Sequence, residues 1–102
     1  MSNVEEIRQS AVLTIAGSDS GGNAGIQADL RAFHYFGVHG CTAITALTAQ
    51  NQYGVKSVVI ADGPFMVDQL ECILNVYAVQ ALKTGMLATA EEIGRASCRE
   101  RV

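Results

Sequence analysis

The sequence predicts an α/β domain with a mainly parallel sheet, and three features point to it. A short apolar run, "VLTI", ends at a glycine-rich loop. A helical pattern follows that loop, and a second apolar run, "CTAITALT", follows the helix. Strand, helix and strand within about 37 residues is the spacing of a right-handed βαβ unit with parallel strands.

Taken in order, Val12 to Gly17 is short, apolar and closed by glycine, which is the pattern of a buried strand. Gly17 to Gly25 is a loop. From Ala24 to about Phe36 the period becomes helical, with Ile26, Leu30 and Phe33 at i, i+4 and i+7 on one face. Gly37 suits a left-handed cap after that helix. Cys41 to Thr48 is the next strand, and "NQYG" after it is turn chemistry. Val55 to Ala61 forms a third short strand. Asp62 and Pro64 mark a helix start, and Met66, Leu70, Ile73, Leu74 and Tyr77 keep helical spacing beyond it. "VQALKTG" is a further strand ending at Gly85. About four strands leave a parallel edge open, whereas parallel sheets are normally covered on both faces and larger than this. The chain is therefore expected to be the first part of a larger domain.

The totals narrow the function. The chain has 102 residues, 49% of them apolar, with a single proline: globular composition with room for one small domain. A formal charge of −3 with no basic stripe argues against a nucleic-acid partner. No apolar run approaches the roughly 20 residues of a membrane span, and the N-terminus "MSNVEEIRQS" lacks the apolar stretch of a signal peptide. Cys41, Cys72 and Cys98 form no CxxC pair and are odd in number, which fits a reduced, cytoplasmic protein. With two histidines and scattered cysteines, no metal-ligand spacing is present.

The end of the chain breaks the pattern. "EIGRASCRERV", residues 92–102, has three arginines in seven residues and no apolar periodicity. Residues 1–91 hold four basic and eight acidic side chains, while the tail holds three basic and two acidic. Ile93 to Val102 resembles the in-frame translation of a common sequencing-library adapter over ten consecutive residues. The expected organisation is the truncated N-terminal part of a larger domain at 1–91 and a non-native tail at 92–102.

The stretch "AGSDSGGNAGIQADL" carries the chemistry. A glycine loop between strand and helix exposes backbone N–H groups beside the positive end of the helix dipole, where anions and polar ligand groups bind. No GK[ST] follows, so it is no P-loop. "GNAGIQA" also lacks GxGxxG spacing, and no acidic residue ends the second strand, so a dinucleotide fingerprint is absent. The alternative is a turn that needs positive φ. Asp19 either serves a ligand or hydrogen-bonds its own turn, and Asp29 either serves a ligand or is a solvated helix residue. Gln50 ends a strand at the edge where open α/β sheets collect ligands, and its amide offers a donor and an acceptor to a heterocycle with an amine beside a ring nitrogen. Met86 follows a strand end, with core filling as its other reading. The loop, Gln50 and Gly85–Met86 should open onto one face of the sheet.

"AGSDSGGNAGIQADL", "GCTAITALTAQN" followed by "GV", and "KTGML" together resemble the N-terminal third of the hydroxymethylpyrimidine/phosphomethylpyrimidine kinases, ribokinase-like enzymes of thiamine biosynthesis. The resemblance covers about residues 10–91. Asn23 stands where that family commonly has glycine, and Gln80 where it is often acidic. The resemblance implies a three-layer α/β/α domain and ATP-dependent phosphorylation, assisted by Mg²⁺, of 4-amino-5-hydroxymethyl-2-methylpyrimidine and of its monophosphate. It implies that Gln50 hydrogen-bonds the aminopyrimidine and that Ala24 and Met86 pack against the ring. Gly17 and Asp19 would shape the substrate side of the cleft, with Asp29 a further candidate. It also implies that the GTGC-like anion hole with its catalytic cysteine, the ATP pocket and the Mg²⁺-organising segment lie beyond this chain. No catalytic residue is then expected within it, and the fragment should be inactive alone. Full-length relatives are expected to be homodimers. Two alternatives stay open: a pyridoxine-type vitamin kinase of the same superfamily, and a non-catalytic ligand-binding module.

Overall fold

The computed structural model describes residues 8–85. Its elements run β1 (Ser10–Asp19), α1 (Gly25–Tyr35), β2 (Gly40–Asn51), β3 (Gly54–Ile60), α2 (Gly63–Leu74) and β4 (Ala78–Thr84). They form one four-stranded sheet in the order β3-β2-β1-β4. β1 pairs in parallel with both β2 and β4, and β3 returns antiparallel along β2. The α/β class and mainly parallel sheet read from the periodicity are therefore correct.

Alternation along β1 sends its side chains to two faces, each under its own helix. Ala11, Leu13 and Ile15 join Cys41 and Ala43 of β2 against Met66, Leu70 and Ile73 of α2. Leu13 is 1% exposed, and burying such a side chain contributes about 1.5–3 kcal/mol. The alternate residue Thr14 faces α1 and donates its hydroxyl to Asp29. Cys41 lies buried in the α2-side core, where loss of solvation pushes its thiol pKa up; Cys72 is exposed, and both are free thiols.

Local chemistry sets the helix ends. Gly37, at φ 76°, closes α1: its N–H donates to the His34 carbonyl and the Val38 N–H to that of Phe33, a Schellman motif. Asp62 caps α2 by accepting from the Phe65 N–H at 2.9 Å, with Pro64 in the first turn. Leu30 and Phe33 of α1 close over the start of β2 because Gly40 lacks a Cβ, which would stand 2.8 and 2.7 Å from their side chains.

The second strand is longer than its apolar run. It continues past Thr48 to Asn51, because Ala49, Gln50 and Asn51 pair with β3 across a short turn. Toward Ile44, β3 no longer covers that edge. The side-chain amide of Gln69 on α2 takes over there: its Oε1 accepts from the Ile44 N–H at 2.7 Å and its Nε2 donates to the Ile44 carbonyl at 3.0 Å. A partly buried strand edge is thereby satisfied without another strand.

Candidate functional site

Two register breaks shape the site. Between Ala16 and Ser18 the pairing with β2 jumps from Ile44 to Leu47, an extra residue on β2. Between Ala49 and Gln50 the pairing with β3 slips again. Such bulges bend a strand and re-aim its side chains. Beyond the first break a cavity of about 390 Å³ opens at the C-terminal ends of β1, β2 and β4. This is the edge at which open α/β sheets bind ligands, and the volume falls in the range of small-molecule sites.

The floor and one wall come from the glycine loop. Asp19 is 5% exposed. Its Oδ1 accepts from the Gly21 N–H at 2.8 Å, and its Oδ2 accepts from the N–H groups of Asn23 and Ala24 at 2.9 Å each. Loss of solvation alone would raise this carboxyl, but the N–H groups of Gly21, Asn23, Ala24 and Gly22 outweigh it and hold the pKa below its ordinary value. Three of the N–H donors that such a loop could offer an anion are thus taken up by the chain's own carboxylate. Asp19 is the organiser of its turn, as well as a lining residue of the cavity.

Gln27 completes the loop. Its Oε1 accepts from the Asp19 N–H at 2.9 Å and its Nε2 donates to the Ser18 hydroxyl at 2.8 Å. Gly25 turns the chain into α1 at φ 64°, against the carbonyl of Gly17. The bare backbone therefore permits a close crossing of two segments, and it leaves Gly17 and Ala24 on the cavity wall.

Gln50 lines the cavity together with Ala46 and Thr48, four and two residues before it on the same strand face. Its backbone is fixed on both sides by one hydroxyl: Ser20 accepts from the Gln50 N–H and donates to the Gln50 carbonyl, each at 2.7 Å. Among the described residues its side-chain amide has no hydrogen-bond partner. Val55 and Val58 of β3 add an apolar wall.

Asp29 is not a solvated helix residue. Its side chain is 11% exposed, lines the cavity, accepts from Thr14 and forms an ion pair with Lys83 at 3.2 Å. Lys83, at the end of β4, is a charged lining residue that the sequence reading missed. The available signal was the helical face: Asp29 lies three residues after Ile26 and four before Phe33, on the sheet side of α1. The structure thus gathers Gly17, Asp19, Ala24, Asp29 and Gln50 around one space, with Gly85 at its rim. Met86 lies outside the described residues, as do Cys98 and the segment 92–102.

Among the described residues, no group of three or more His, Cys, Asp or Glu side chains is placed to hold a metal ion. The N–H groups of Gly21, Asn23 and Ala24, held by Asp19, are not free to take the phosphates of a nucleoside triphosphate.

The sequence model of the phosphomethylpyrimidine kinase family matches residues 19–98. The chain belongs to that family. A hydroxymethylpyrimidine/phosphomethylpyrimidine kinase of Mycobacterium tuberculosis is 52% identical over 79 residues, covering 78% of this chain and 29% of that protein. The crystal structure of phosphomethylpyrimidine kinase from Clostridium difficile 630 superposes with a TM-score of 0.75 at 44% identity, over 83% of this chain and 39% of the other. An ADP complex of Bacillus subtilis pyridoxal kinase superposes with a TM-score of 0.71 at 41% identity, over 89% and 34%. The ribokinase-like fold expected from the motifs is confirmed by these neighbours. The chain spans about 30% of the length of the curated phosphomethylpyrimidine kinases that it matches.

Proposed function

We propose that this chain supplies the substrate half of a vitamin-kinase cleft, for an enzyme that transfers the γ-phosphoryl group of ATP to 4-amino-5-hydroxymethyl-2-methylpyrimidine and then to its monophosphate. The observation that carries this reading is the convergence of Gly17, Ala24 and Asp29 from one motif block, and Gln50 from another, on one mostly apolar cavity. Gln50 presents an unpaired amide to the aminopyrimidine edge. Gly17 and Ala24 offer a flat wall, and Met86 is proposed, on the family resemblance alone, to pack against the ring as well. Orientation of the acceptor alcohol is the contribution that such a half-site makes to phosphoryl transfer.

The nucleotide, Mg²⁺ and the catalytic cysteine are assigned to sequence that this chain does not carry. The chain alone should then bind the pyrimidine weakly and transfer no phosphate. Phosphorylation of the pyrimidine by the purified chain in the presence of ATP and Mg²⁺ would overturn that assignment. The complete enzyme is proposed to be a cytoplasmic homodimer, which sedimentation of a full-length relative tests. Residues 92–102 are read as non-native; a homologous gene that continues with the same tail would contradict this.

The similarity to a pyridoxal kinase structure gives one specific ground for a second reading, a pyridoxine-type substrate. A full-length protein rebuilt around residues 1–91 separates the two: the first reading expects preference for the aminopyrimidine over pyridoxal in kcat/KM, and the reverse order favours the second.

A further inference from the structure

The Asp29 carboxylate enters the cavity from α1, yet both elements that hold it belong to the sheet. Thr14, on the central strand β1, is fully buried and donates its hydroxyl to Oδ2. Lys83, on the edge strand β4, approaches Oδ1 at 3.2 Å and Oδ2 at 3.4 Å. Thr14 and Lys83 are themselves neighbours across the β1–β4 ladder. The two donors therefore reach the carboxylate from adjacent strands and fix it from one side. An ionised carboxylate has about four acceptor positions, so capacity remains for a donor from the cavity.

Lys83 has no other hydrogen bond or ion-pair partner among the described residues, and its side chain is 55% exposed against 11% for Asp29. An ordinary surface ion pair contributes little to stability. This one is asymmetric: the nearly buried member lines the cavity, and the exposed member reaches over to it from the rim.

We infer that Lys83 is a positioning residue, which with Thr14 holds the Asp29 carboxylate as the acceptor for the hydroxymethyl O–H of the bound pyrimidine. The inference rests on the substrate reading above for the identity of the ligand. The group follows by elimination. The proposed ligand has two kinds of donor, an amine and a hydroxyl. Gln50 matches the amine and its neighbouring ring nitrogen, since its amide carries both a donor and an acceptor. Asp29 carries acceptors only, and the hydroxyl is the donor left for it. No proton leaves the hydroxyl in this arrangement; the carboxylate sets its direction.

The test uses the 102-residue chain with Lys83→Met, which keeps the stem and removes the charge, and Lys83→Arg, which keeps the charge. Without ligand, NMR couplings report χ1 of Asp29. The wild-type and arginine forms should show a single rotamer, and the methionine form an average over several. Two probes are then titrated: 4-amino-5-hydroxymethyl-2-methylpyrimidine, and 4-amino-2,5-dimethylpyrimidine, which lacks the hydroxyl. Lys83→Met should weaken the first at least about fivefold and leave the second unchanged, with Lys83→Arg restoring the first to within about twofold. A single Asp29 rotamer in the methionine form, or an equal loss for both probes, overturns the inference. A wild-type chain that binds neither probe instead defeats the substrate reading, and the rotamer measurement still decides the role of Lys83.

Discussion

A methyl group on Gly25 would collide with the carbonyl oxygen of Gly17, in a loop where Gly25 already holds φ at 64°. Gly22 has a similar φ of 79° but open space around the position of its missing Cβ. The pair separates backbone strain from steric exclusion. Gly22→Ala should cost about 1 kcal/mol, the strain alone. Gly25→Ala should cost about 2–4 kcal/mol, because backbone must also move. Equal losses in chemical denaturation would show that the crossing at Gly17 is not tight.

The Asp19 carboxyl gives the loop a pH dependence of known sign. Its folded pKa lies below its ordinary value of about 3.9. Its stabilisation is therefore complete above that value and is lost as pH falls through the folded pKa. Asp19→Asn keeps one oxygen for the Gly21 N–H but lacks the second acceptor used by Asn23 and Ala24. The variant should be less stable at neutral pH, and its disadvantage should shrink as pH drops below about 4. A constant difference across that window in denaturation curves would assign the effect to something other than ionisation.

Gln69 stands in for a missing strand partner at Ile44. Gln69→Leu keeps similar bulk and strips both hydrogen bonds, leaving a partly buried N–H and carbonyl unpaired. A loss of about 1–3 kcal/mol is expected. Hydrogen exchange should show the Ile44 amide among those that speed up most. Unchanged protection at Ile44 would mean that water serves that edge equally well.

What could be read from the sequence was what is decided locally. Asp62 with Pro64 and the left-handed Gly37 need only their neighbours along the chain, and both ends fall where they were expected. The extension of β2 to Asn51 depends on β3 and on the Ser20 hydroxyl, contacts formed across the chain, so the apolar run stopped short of it. The cavity residues divide in the same way. Gly17, Asp19, Ala24 and Gln50 were named from motif position. The inward setting of Asp29 follows from its helical spacing to Ile26 and Phe33, but its partner Lys83 is 54 residues away, and no local pattern announces that partner. For Asp19, the reading as an organiser of its own turn is met, because its carboxylate accepts from the N–H groups of Gly21, Asn23 and Ala24.

The central claim is that the cavity beside Gln50 receives an aminopyrimidine ring, and its most direct test is an NMR titration of the wild-type and Gln50→Leu chains with 4-amino-5-hydroxymethyl-2-methylpyrimidine. The wild-type chain should bind in the millimolar range, with shifts concentrated at the amides of Gly17, Ala24 and Gln50. Leucine leaves the polar edge of the ligand without a partner, at about 1–3 kcal/mol, so the affinity should fall about 5- to 150-fold while the melting transition is kept. Shifts elsewhere on the molecule, or equal affinity in the two chains, would contradict the claim.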